Sequence, residues 1–174
     1  KNDRVIYLSS LSKTLSPGLR MGYMVGPVEL IRELRALRRL MLRHPASNNQ
    51  RSVALFLARG YHDTLVRNIV HVYRERCRLV KEALDKYLPD SAQPPTYGGS
   101  SYWVKGPAYL DSRLLKDLAA DAGILIEPGD IHFLSDEPPL NFFRLGFSAI
   151  VENKIEEGIK KLADIIHSMA PKNP

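Results

Sequence analysis

The chain is predicted to pass from an α/β to an α+β architecture along its length, and three observations carry that expectation. The first 60 or so residues hold two apolar, strand-like runs without enough strands to complete a sheet, as at the end of a larger α/β domain. A helical pattern of unusual length, about Asp63 to Leu88, follows and reads as a connector. The remainder alternates short strands with helices, which describes a small α+β domain. The domain division is expected within the long helix, as residues 1–70 and 71–174.

In chain order, Val5 to Leu8 is a β-branched, apolar run that reads as a buried strand. A hydroxyl-rich loop follows, Pro17-Gly18 turns the chain, and Met21 to Val25 is a second apolar segment. After Gly26-Pro27, the spacing of Leu30, Ile31, Leu34, Leu37, Leu40 and Met41 predicts an amphipathic helix ended by Pro45. Ala46 to Gln50 reads as a polar loop or a cap, and Ser52 to Arg59 as a short helix closed by Gly60. The long helix places Leu65, Ile69, Val72, Leu79, Val80, Ala83, Leu84 and Tyr87 on one side, and Pro89 and Pro94-Pro95 mark its exit. Gly98 to Ser101 leads into a strand at Tyr102 to Val104. Asp111 is a candidate N-cap for a helix through Ala122, with Gly123 at its end. Ile124 to Ile126 reads as a short buried strand, Glu127 to Asp130 as a turn, and Asn141 to Phe147 as a strand. A final amphipathic helix spans about Val151 to Ser168, and the tail Pro171 to Pro174 is expected to fray.

With 174 residues, the chain is long enough to bury a core. Its net charge of +6 invites a nucleic-acid reading, but the arginines of segments 32–43 and 67–78 interleave with aliphatic residues at helical spacing. They are expected to be polar helix faces. Cys77 is the only cysteine, so no internal disulfide can form, and a reducing cytoplasm fits. The five histidines show no ligand-like pairing, so no metal site is expected. No apolar run approaches a membrane span and no signal peptide is recognisable. A chain that starts at Lys1 and reaches strand residues by Val5 is expected to be a piece of a longer protein.

The densest chemistry lies between Tyr7 and Tyr23. Ser9, Ser10 and Ser12 precede Lys13; Thr14 and Ser16 follow it; Arg20 closes the loop. A primary amine, hydroxyls and a guanidinium on one loop suit a ligand with both a carbonyl and a phosphate. The amine can form a Schiff base, and the hydroxyls and guanidinium can hold the phosphate. The pattern S-x-S-K-x-x-x-P-G-x-R-x-G-Y resembles the cofactor-lysine motif of fold-type I pyridoxal-phosphate enzymes, the aminotransferase superfamily. The resemblance implies pyridoxal 5'-phosphate on Lys13, with Ser10 and Arg20 on its phosphate and Ser12 orienting the loop. It also makes Asn48 and Asn49 weak candidates for reaching a neighbouring subunit's cofactor phosphate; an ordinary cap explains them equally well.

Arg144 stands in the apolar run Asn141 to Ser148, where a charge is costly unless it is satisfied. Taken alone, it reads as an arginine paired to a nearby carboxylate at the sheet edge. The superfamily's R-L-x-F-S type strand implies instead a clamp for the α-carboxylate of an amino acid.

Arg43-His44-Pro45 with Asn48 to Gln50, Gly98 to Val104 with Gly106-Pro107, and Leu125 to Asp130 narrow the resemblance to the MocR group of GntR-type transcriptional regulators. Such proteins fuse a winged-helix DNA-binding domain to an aminotransferase-like domain. The resemblance therefore implies an amino-acid or amine effector, a homodimer, and DNA contact only through a preceding domain. A metabolic aminotransferase and a basic binding module without cofactor are the alternatives.

Overall fold

The computed structural model describes residues 4–44, 46–93 and 99–171. Pro45, Pro94, Pro95, Gly98 and residues 172–174, assigned above to a helix stop, a helix exit, a strand lead-in and a frayed tail, lie outside them. The chain divides into two compact units, Lys1–Asn68 and Ile69–Pro174.

The first unit begins with a hairpin-like pair, β1 (Tyr7–Ser10) and β2 (Gly22–Val25), antiparallel with Tyr7 opposite Val25 and Ser10 opposite Gly22. The rings of Tyr7 and Tyr23 lie 6.0 Å apart across it. The ladder starts two residues later than the apolar run Val5 to Leu8 suggests, and the run is not buried: Leu8 is 66% exposed. A β-branched run specifies an extended backbone, but burial needs a covering layer, and β1 has only β2 beside it among the described residues.

Two helices follow, α1 (Val28–Leu42) and α2 (Ser47–Ala58). The predicted stripe of α1 is half realised, since Leu30, Ile31 and Leu34 are half-buried while Leu37, Leu40 and Met41 are exposed. Ser47 to Gln50 is the first turn of α2 and not a loop. Its polar residues lack the side-chain cap bond that a free N-terminus would favour. Gly60 takes φ +71° after α2, the left-handed conformation expected at a helix stop.

Helix α3 (Tyr61–Tyr87) starts in the first unit, with Tyr61 5.7 Å from the Phe56 ring, and continues into the second. The second unit carries a four-stranded antiparallel sheet of β3 (Ala92–Gln93), β4 (Ser101–Lys105), β5 (Glu127–Pro128) and β6 (Phe142–Gly146), in the order β3-β4-β6-β5. Period-two alternation sends Tyr102, Val104, Phe143 and Leu145 to one face. There they join Val80, Ala83 and Leu84 of α3, Leu115 and Ala119 of α4 (Ser112–Asp121), and Ile155, Ile159, Leu162 and Ile166 of α5 (Ile155–Ser168) in one core. Tyr102 keeps its hydroxyl satisfied by donating to the Cys77 carbonyl at 2.9 Å, and burial pushes its phenol pKa up. Asp111 caps α4 as its sequence position suggests, accepting from the Arg113 N–H at 2.8 Å.

The segment after α4 departs from the sequence expectation. Ile124 to Ile126 is not a strand, because its first residue closes the helix. Ile124 N–H bonds the Ala119 carbonyl at 2.8 Å, Gly123 N–H bonds the Ala120 carbonyl at 2.9 Å, and Gly123 takes φ +78°. The ladder starts only at Glu127, inside the expected turn. Pro128 is tolerated there because β5 is an edge strand. Among the described residues, no helix is long and apolar enough to cross a membrane, and no cluster of metal-ligating side chains occurs.

Candidate functional site

The lysine loop is a closed structure hung from the β1–β2 pair. Leu11 N–H bonds the Met21 carbonyl at 2.9 Å, which ties the loop's two ends together directly beyond the ladder. Ser10 Oγ accepts the Ser12 N–H at 3.2 Å, and Leu15 N–H reaches the Leu11 carbonyl at 2.9 Å, wrapping one helical turn around Lys13. Lys13 therefore projects from a tight turn, is exposed, and has no side-chain hydrogen bond or ion pair among the described residues.

Pro17–Leu19 then forms a 3₁₀ turn that ends on Arg20 in the left-handed region, at φ 49° and ψ 42°. That conformation costs a non-glycine residue about 1–2 kcal/mol, and its effect here is to turn the guanidinium-bearing residue out of the chain direction. Gly22 explains the last glycine of the motif: a Cβ there would lie 2.7 Å from the Ser9 carbonyl oxygen of the paired strand.

Next to this turn is a cavity of about 410 Å³ whose lining includes Arg20, Arg38, His44 and Asn49. Asn49 donates from Nδ2 to the Leu19 carbonyl at 3.3 Å, so α2 braces the turn that carries Arg20. The sequence offered Asn49 as a cap or a phosphate contact, and its observed partner is this backbone carbonyl. Thr14 Oγ1 is buried without a partner among the described residues. Lys13, Ser10, Ser12 and Arg20 thus share one loop in the first unit, while Arg144 belongs to the second.

Arg144 lies on the exposed face of the second unit's sheet. In register it faces Trp103 of β4 on one side and Glu127 of β5 on the other, so Trp103, Arg144 and Glu127 form one row across three strands. Its Nη1 donates to Glu127 Oε2 at 2.5 Å and its Nε to Ser101 Oγ at 3.2 Å. Glu127 Oε1 lies 3.2 Å from His132 Nε2. The carboxylate partner that the sequence suggested for an isolated arginine therefore exists. Beside the row, Trp103 stacks on Phe142 at 5.8 Å and 20°, with Phe133 6.0 Å and the His132 ring 5.5 Å away.

Glu127, His132 and Ser101 are contacts that sequence reasoning missed. The sequence suggested only that Arg144 would pair with some nearby carboxylate; which one is fixed by strand register, 17 positions away.

The lysine-loop donor set fits a phosphorylated carbonyl cofactor chemically. It offers hydroxyls together with an exposed amine and an exposed guanidinium that have no side-chain partner among the described residues.

Comparison with known proteins places these features in a family. The aminotransferase class I and II family model matches residues 1–162. The HTH-type transcriptional regulator TauR of Rhodobacter capsulatus is 39% identical over 160 residues, which cover 92% of this chain and 33% of that protein. The kynurenine aminotransferase of Pyrococcus horikoshii, solved in complex with PMP, superposes with a TM-score of 0.87 at 31% identity, covering 99% of this chain and 43% of that one. The α-aminoadipate aminotransferase LysN of Thermus thermophilus, complexed with N-(5'-phosphopyridoxyl)-L-leucine, gives 0.83 at 30% identity, covering 95% and 42%. The chain thus spans from a third to under half the length of these proteins. With 162 of its 174 residues matched to the model and its fold shared with solved aminotransferases, the chain belongs to the aminotransferase class I and II family.

Proposed function

We propose that this chain is the cofactor-lysine and anion-binding part of an aminotransferase-like effector domain in a MocR/GntR-type transcriptional regulator. The lysine loop carries the reading: an exposed amine and guanidinium, without side-chain partners among the described residues, held on one hairpin-closed turn. The regulator assignment is supported by the higher identity to TauR, 39%, than to the two aminotransferases above, 31% and 30%.

Lys13 would hold pyridoxal 5'-phosphate through its Nζ, Ser10 and Arg20 would bind the phosphate, and Ser12 would orient the lysine loop. When bound, the cofactor supplies an electrophilic carbonyl and a ring able to take up electron density from a reacting carbon. The tight turn around Lys13 fixes where its amine emerges, and the Asn49 brace fixes the Arg20 turn. Arg144 would receive the carboxylate of an amino-acid effector or substrate. A free Lys13 amine is a base suited to moving an α-proton, so a metabolic aminotransferase remains the second reading, favoured by the 0.87 superposition on one. In the regulator reading, the protein is a homodimer that contacts DNA through a separate winged-helix domain.

Borohydride reduction of the full-length protein with pyridoxal phosphate, followed by peptide mapping, tests the cofactor assignment. The pyridoxyl group is expected on Lys13, and a label on another lysine defeats the assignment. Effector-dependent operator binding without turnover of a 2-oxo acid supports the regulator; steady turnover supports the enzyme.

A further inference from the structure

We propose that Glu127 is the resident counter-ion of Arg144 and the residue that selects monoanionic over dianionic ligands at that arginine. The proposal rests on the reading of Arg144 as the anion receiver.

The β5–β6 register places Glu127 directly across from Arg144, and its two carboxylate oxygens are divided between two partners. Oε2 takes Arg144 Nη1 at 2.5 Å, and Oε1 takes His132 Nε2 at 3.2 Å. Ser101 holds Nε at 3.2 Å. Two of the three guanidinium nitrogens are thus engaged, and no partner holds Nη2 among the described residues. The next position on the same face of β6 is open: Gly146 lies opposite the small Ser101, and a Cβ on it would meet nothing nearer than the Ser100 carbonyl at 4.0 Å.

An arriving anion therefore meets a guanidinium whose charge is already balanced. A single carboxylate can use the open nitrogen, or displace Glu127 toward His132, at small cost, because the Arg144–Glu127 pair is 44% and 39% exposed and solvent screens it. A second negative charge on the ligand has no such outlet. It adds to the Glu127 carboxylate on the same row, where like charges repel. The aromatic surface of Trp103, Phe142 and Phe133 next to the row carries a cation, Lys105, but that amine lies over the Phe142 ring at 5.9 Å on β4, across β6 from Glu127, and does not offset the Glu127 charge. The ligand class that fits is a compact monoanion, or a zwitterion whose cationic group faces Glu127.

The probe for occupancy is built in. Trp103 is the only tryptophan of the 174-residue chain and stands next to Arg144 in the row. The experiment titrates its fluorescence, taken as the difference from a Trp103→Phe blank, with propionate and with succinate at constant ionic strength in the full-length protein, as wild type, Glu127→Gln, Glu127→Asp and Arg144→Gln, with circular dichroism confirming that each is folded.

The wild type is expected to prefer propionate. Glu127→Gln should tighten propionate by about two- to fivefold, the worth of an exposed ion pair, and succinate by more, so that the preference collapses. Glu127→Asp should restore it, and Arg144→Gln should abolish both responses. An unchanged propionate-to-succinate ratio in Glu127→Gln, with the responses still lost in Arg144→Gln, overturns the role of Glu127 and leaves Arg144 as the receiver. No saturable response in the wild type, or one that survives Arg144→Gln, removes the Arg144 reading itself and this one with it.

Discussion

Replacing Gly22 by alanine tests whether the β1–β2 register holds the lysine loop in its binding conformation. The added Cβ would lie 2.7 Å from the Ser9 carbonyl oxygen, 0.7 Å inside the 3.4 Å at which ordinary contact begins. The obstacle is paired-strand backbone, which cannot rotate away. The strands must separate, and the Leu11–Met21 bond that closes the loop lies directly next to the strained pair. Overpacking of this kind costs about 1–3 kcal/mol. A two-stranded ribbon has little stability of its own to absorb it, so most of the cost should appear as a loss of the binding-competent loop.

The expected result is pyridoxal-phosphate affinity weakened by about five- to 150-fold, read by absorbance titration of the full-length protein and by the yield of borohydride-trapped label on Lys13. Gly18→Ala is the control from the same loop. Its Cβ would meet only Ser16 Oγ, at 3.8 Å, and its affinity should stay within about twofold of wild type. Equal affinities for Gly22→Ala and wild type, or equal losses for both variants, would refute the reasoning.

Gly158 presents the opposite case inside α5, where an added Cβ meets nothing within 4 Å. Gly158→Ala should raise unfolding stability in urea by about 0.5–1 kcal/mol, and a loss would show that the helix packs more tightly there than described. Tyr102→Phe removes the bond to the Cys77 carbonyl and should cost about 0.5–1.5 kcal/mol by the same measurement; a neutral result would mean that water or a neighbour replaces it. Hydrogen bonds from Arg78, Arg76, Lys86 and Lys161 hold Glu75, Glu152, Glu156 and Glu157, respectively, below the ordinary glutamate range. Their contribution is complete above that range and lost as the pH falls through and below it, because the unfolded chain then binds more protons. The melting temperature should drop below about pH 5, by less at high salt, and a flat acid profile would count against these pairs.

The sequence was most informative where local chemistry decides the outcome. Asp111 caps α4, Gly60 and Gly123 adopt left-handed conformations, and the alternation through Tyr102–Val104 and Phe143–Leu145 places one sheet face in the core. It was least informative where a partner decides. Burial of Val5 to Leu8 depends on what covers the strand, and the start of β5 depends on the helix before it taking Ile124 for its own closure. For the site, the residue types at Lys13 and Arg20 were legible as chemistry. The pairing of Arg144 with Glu127 was not, because two residues 17 positions apart in sequence are brought together only by strand register.

The closure of α4 also works as a ruler. Gly123 and Ile124 are anchored to the helix and Glu127 to β6, so only Leu125 and Ile126 span the interval. In a strand, one extra residue exchanges the two faces. A single insertion after Ile124 would therefore turn the acid toward the hydrophobic core and offer Arg144 the side chain of Ile126 in its place. The charge balance of that arginine is set by the length of a two-residue spacer as much as by the identity of the acid.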